Sequence, residues 1–222
     1  MANLTCTQRL KVCHLRVLRL SSVGALLPGA DSLYEYAAPV TFGYTPSSPE
    51  RERIEQLNGC GDQCGLYQGG PKAVDGAELS LVLCNQDAEL LELLTGGSIV
   101  EEGTGDPNTI GYLAPTDATV DPDGVAIELW SIAWNGKQRA TKGGQPAWYR
   151  HTFTKVRFSY DEQTMATDEF GLTSLTGLAE VNSGFGTGLA SDAWPTAMGD
   201  SVFGWFIDDA KPTNVCGYQT VP

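Results

Sequence analysis

Cys60 and Cys64 lie in the stretch NGCGDQCG, residues 58–65, with Gly59, Gly61 and Gly65 around them. Thiolates at this spacing are what one half of a structural zinc site needs, since such sites take two Cys or His pairs. The other close set is Cys13 and His14, adjacent in sequence and without a matching second pair. The stretch also reads as half of a disulfide framework, or as a tight turn that carries thiols. The cysteines are Cys6, Cys13, Cys60, Cys64, Cys84 and Cys216, an even count spread over 222 residues. That is not the density of a disulfide scaffold, and a reducing cytosol keeps thiols free. We read a glycine-rich turn with incidental thiols.

The remaining candidates for chemistry are sparse. His14 and His151 stand in no H-x-x-x-H arrangement and beside no nucleophile motif. GFGTG, residues 184–188, lacks the strand-then-helix setting of a dinucleotide site and reads as a loop. DPDG, residues 121–124, is not followed by the oxygen ligands of a calcium loop, so an Asp-rich turn is the better reading. Glu101 and Glu102, like Asp208 and Asp209, are sequence neighbours, and in strands they would face opposite sides. No residue is assigned a catalytic, cofactor-binding or metal-ligating role, and neither a cofactor nor an enzymatic activity is expected.

The elements that position these residues are mostly strands. LRVLRL, from Leu15 to Leu20, is a mixed apolar and basic strand. PVTFGYT (39–45) sets Val40, Phe42 and Tyr44 against Thr41, Gly43 and Thr45, and AELSLVLC (77–84) puts Leu79, Leu81 and Leu83 on one face. VAIELWSIAW (125–134) alternates Val125, Ile127 and Leu129 against Glu128 and Trp130. AWYRHTFTKVRFSY (147–160) alternates along its whole length, and FGLTSLTGLAEVN and SVFGWFI supply the last strands. One helix is predicted near 86–95: Asn85 or Asp87 caps it, Leu90, Leu91 and Leu94 share a face, and Gly96 ends it. Segments 21–38 and 101–124 read as long loops. The expected fold is a single all-β domain, a sandwich or barrel with one short helix, over residues 1–222.

Composition limits the partners. Hydrophobic residues make up 41% and charged residues 18%, as in ordinary globular proteins. A net charge of −13 disfavours stable binding to nucleic acid or to an anionic membrane. No stretch reaches the roughly 18 apolar residues of a membrane span. At the N-terminus Arg9, Lys11, Arg16 and Arg19 run through the apolar positions instead of preceding them, so we expect no export signal. Charge is segregated: residues 1–20 hold four bases and no acid, residues 136–160 hold six bases and no acid, and the rest is acidic.

Several segments together carry a resemblance. LRVLRLSSVGALLPG, ERERIEQLNGCGDQCG, ELSLVLCNQDAELLELLTG, VAIELWS and VNSGFGTG…WP…NVCGYQT stand in order over nearly the whole chain. The most specific is a strand, Cys, Asp and a short Leu-rich helix ending Leu-Thr-Gly. The chain resembles the major tail proteins, or tail tube subunits, of long-tailed, non-contractile phages that infect actinobacteria.

That resemblance implies a β-sandwich or barrel subunit forming hexameric rings that stack into a hollow tube, the conduit for genome delivery. It implies a virion protein assembled in the bacterial cytoplasm, with tape-measure, tail-tip and tail-terminator proteins as partners, passing duplex DNA and no membrane. We further expect a net negative lumen, with the basic segments 1–20 and 136–160 serving subunit contacts. The alternative is a secreted carbohydrate-binding β-sandwich using Trp130, Trp134, Trp148, Trp194 and Trp205 as platforms.

Overall fold

The period-two segments become strands, and most of them join one sheet. The computed structural model describes residues 7–37, 39–48, 53–57, 63–68, 73–103, 108–116, 123–166, 169–189, 193–194, 196–213 and 215–219. For residues 10, 53–57, 63–68, 164–166 and 169–170 it describes the backbone alone.

In chain order the strands are β1 (Gln8–Arg19), β2 (Leu33–Tyr36), β3 (Pro39–Ser47), β4 (Arg53–Leu57), β5 (Gln63–Gln68) and β6 (Gly76–Leu83). The helix α1 (Ala88–Thr95) follows, then β7 (Ser98–Glu102), β8 (Asn108–Leu113), β9 (Val125–Trp134), β10 (Thr141–Lys142) and β11 (Gln145–Pro146). Next come β12 (Trp148–Ala166), β13 (Glu169–Glu180), β14 (Phe203–Asp208) and β15 (Gly217–Gln219). The large sheet runs β15-β2-β1-β9-β12-β13-β6-β3, all antiparallel, with β14 beside the first half of β12. The sheet rolls without closing. Arg9 of β1 donates to the Tyr44 hydroxyl of β3 at 3.3 Å, yet no ladder joins the two strands.

The inner face carries the main core: Leu15, Val17, Tyr34, Tyr36, Leu79, Leu81, Leu83, Ile127 and Phe153 are all buried there. Leu79, Leu81 and Leu83 alternate as expected. Residues 147–160 do not keep one alternation. Phe153 pairs with Ile127 but Val156 with Val125, so β12 spends one extra residue there. That bulge swaps its faces: His151 and Phe153 point inward before it, Val156 and Phe158 after it. A similar shift between Pro39 and Thr41 leaves Val40 47% exposed, against its expected place beside Phe42 and Tyr44.

The outer face of the sheet is covered as well. Leu18, Leu20, Leu33 and Ala126 pack beneath Phe185, Leu189 and Met198. Asn182 fixes that cover: its Nδ2 donates to the carbonyls of Gly24 and Thr154, both at 2.9 Å, and its Oδ1 accepts from Gly184 N at 3.0 Å. GFGTG thus begins in a packed 3-10 turn, Ser183–Phe185.

The helix forms where predicted. Asp87 caps it, accepting from Leu90 N at 3.2 Å, and Gly96 closes it with φ 74, its N–H on the Glu92 carbonyl at 2.8 Å. Both long-loop readings need correction. Segment 21–38 contains β2, and 101–124 holds the end of β7 and all of β8, a hairpin in which Ser98 faces Leu113. Short strands bounded by Gly, Pro and Asp carry too little alternation to stand out from a polar loop.

Candidate functional site

The candidate residues of the sequence scatter. His14 and Cys13 share no site: the His14 ring bonds to Glu35, while the Cys13 thiol points to the Lys11 carbonyl at 3.7 Å. Cys64 sits on β5, backbone only; Cys6 and Cys60 lie outside the described residues, as do Asp121 and Pro122 of DPDG. Residues 58–62, read from the sequence as part of a turn, lie outside the described residues too. Glu101 and Glu102 are both exposed on β7. Asp208 ends β14 against Arg150, with Asp209 open beside it. Among the described residues no cluster of three or more His, Cys, Asp and Glu is arranged to hold a metal ion.

A buried ionic network crosses the outer face of the sheet, and its bases, Arg16 and Arg150, come from the basic segments 1–20 and 136–160. Its register explains it. Glu35 of β2, Arg16 of β1, Glu128 of β9 and Thr152 of β12 are successive ladder partners, so they line up on one face. Arg16 Nε reaches Glu35 at 2.7 Å and its Nη1 reaches Glu128 at 3.0 Å. Arg150 lies 3.8 Å from both Glu128 and Asp208. The guanidinium of Arg16 sits 4.9 Å over the Trp130 ring, and that of Arg150 4.2 Å over Phe206. Burial pushes the Glu128 carboxyl up; Arg150 and then Arg16 pull it back down. The network holds strands in register and offers no opening to a substrate.

The open concavity of chemical interest lies at the mouth of the rolled sheet. It is a hollow of about 860 Å³ floored by His151 and rimmed by Arg9, Tyr149 and Trp205. A second concavity, between β1 and β3, meets it at Arg9 and His151 and adds Lys11 and Ser131. His151 is 6% exposed, and neither ring nitrogen has a hydrogen-bond partner among the described residues; the same holds for Ser131 Oγ. Trp205 is 54% exposed, unlike Trp130 at 1%. The tryptophan count alone gave no sign of which one would be open.

Burial, followed by the charge of Arg9, lowers the His151 pKa to about 4 from the ordinary 6.5. The unfolded chain therefore takes up a proton between these values that the folded chain refuses. His151 leaves stability whole above pH 6.5 and removes it as pH falls toward 4. In urea titrations His151→Phe is expected to flatten this acid-side loss. An unchanged pH slope would contradict the assignment.

Among the described residues three hairpins lie outside the main sheet: the two-residue pair β10–β11, and the longer β4–β5 and β7–β8. The last docks on α1 through Tyr112, whose hydroxyl bonds to Thr95, and leaves Ile110 and Leu113 each 60% exposed. No protein-family model matches this chain, and no curated protein matches it.

Proposed function

We propose that the chain is a tail tube subunit of a long-tailed, non-contractile phage, polymerising as stacked hexameric rings around a channel for duplex DNA. The observation that carries this reading is the two longer hairpins outside the main sheet, β4–β5 and β7–β8. A two-stranded hairpin is marginal in water by itself, and its free edges are templates for further pairing. Ile110 and Leu113 add apolar surface to the β7–β8 arm. A neighbouring copy supplies the missing partner for such arms. The order of the sequence motifs, and the all-β fold with one docked helix, support the same reading. Tape-measure, tail-tip and tail-terminator proteins complete the assembly, which forms in the bacterial cytoplasm and resides in the virion.

The acidic balance suits the channel. Duplex DNA carries a charge about every 1.7 Å, so a basic wall would hold it at many points. A negative wall repels it over only about 8 Å at physiological salt, keeping it centred. The role given to the basic segments is narrower than the sequence suggested. Arg16 and Arg150 are buried inside the subunit, at 5% and 1% exposure, so neither makes subunit contacts and Arg150 cannot line a channel. Subunit contacts fall to Arg9 and Lys11, which are exposed, and to the half-buried Lys155 and Arg157.

A second reading, a carbohydrate-binding module, draws on Trp205 as an open aromatic beside the unpartnered His151. Sedimentation separates the two. The tail reading predicts that concentrated, purified chain associates through an obligate-class interface of about 2,000 Å² or more. Monomer alone, at every salt and pH tried, would contradict it.

A further inference from the structure

The hollow at the mouth of the sheet is furnished for a ligand that the described residues do not supply. Its floor holds two buried polar side chains, His151 and Ser131, whose hydrogen-bonding atoms are unpartnered among the described residues. Those atoms lie beneath the surface, so what the hollow presents to a partner is its charged edge. The lining includes two bases, Arg9 and Lys11, and no acid. The exposed Arg9 guanidinium and Lys11 ammonium are both donors and both positive, which suits a carboxylate. Val40 and Trp205 offer apolar surface at the rim.

We propose that this hollow receives the acidic β7–β8 hairpin of a second copy of the chain, with the Glu101–Glu102 end of β7 set against Arg9 and Lys11. The proposal rests on the self-assembly reading and names the contact. Charge complementarity selects the occupant. Residues 73–136 contain twelve acids and no base, and within them Glu101 and Glu102 are both exposed, on opposite faces of an arm outside the main sheet. The same arm carries exposed Ile110 and Leu113, which match the apolar rim. Complementary charges of this kind fix which surfaces meet and in what register.

The test is a charge exchange, read as the concentration at which the purified chain begins to associate in sedimentation. Arg9→Glu, and separately the pair Glu101→Lys with Glu102→Lys, are each expected to raise that concentration about tenfold or more. Combining all three substitutions should bring it back toward the unmodified value. All three positions are exposed, so folding is little affected.

Variants that associate like the unmodified chain, or a combination no better than the worse parent, overturn this contact and leave self-assembly standing. An unmodified chain that never associates overturns both. A monomer that binds a neutral oligosaccharide, and loses it in Trp205→Ala, overturns the carboxylate assignment in favour of a sugar.

Discussion

Arg16→Met is expected to cost the subunit about 3–5 kcal/mol of unfolding free energy, the range found when one partner of a buried ion pair is removed. Arg16 lies between two carboxylates, 2.7 Å from Glu35 and 3.0 Å from Glu128, and is itself 5% exposed. Methionine keeps much of the stem and so leaves only a modest void. What it removes is the positive charge between two buried negative ones. Glu35 then retains His14, and Glu128 retains Arg150 at 3.8 Å. The Glu128 carboxyl, already pushed up by burial, loses the opposing pull of Arg16 and should hold its proton to still higher pH in the folded state. A carboxyl with a raised folded pKa costs stability as pH rises, so the deficit of Arg16→Met should be larger at pH 8 than at pH 5. Chemical denaturation at the two pH values measures this. A loss under about 1 kcal/mol, or one that grows in acid, would show that the network does not work as described.

Leu94→Ala is expected to cost about 2–5 kcal/mol, the span for truncating a buried leucine. Leu94 is 1% exposed in the main core, and α1 has only eight residues, too few to hold together by propensity alone. The helix is therefore stabilised by its leucines against the sheet and by its two caps. Glu92 is only half-buried and contributes its carbonyl, not its side chain, to the Gly96 cap. Glu92→Ala should stay within about 0.5 kcal/mol of the unmodified chain. Equal melting temperatures for the two variants would mean that the helix is not docked.

Much of the fold is legible in the sequence where one face is buried and the other is not. Leu79, Leu81 and Leu83 announce β6 by alternation, and Asp87 and Gly96 bracket α1 by their cap chemistry. The central strands are harder because they are buried on both faces. Glu128 and Trp130 look like an outward set beside Ile127 and Leu129, yet all four are under 3% exposed. What buries Arg16, Glu35, Glu128 and Arg150 together is sheet order, β2-β1-β9-β12, which brings residues 16 and 128 into register. No local spacing encodes that. The bulge after Phe153 likewise moves Val156 to the face expected for Lys155, and only the pairing with β9 reveals it. The hollow was hidden for the same reason. Arg9, Ser131, His151 and Trp205 come from four strands, and each looks unremarkable in its own segment.

The most direct test of the central claim is electron microscopy of the purified, concentrated chain. The account predicts hollow tubes of stacked six-fold rings, with Arg150 inside the subunit wall and a net negative inner surface. Particles that remain single subunits under every condition that keeps the chain folded would contradict it.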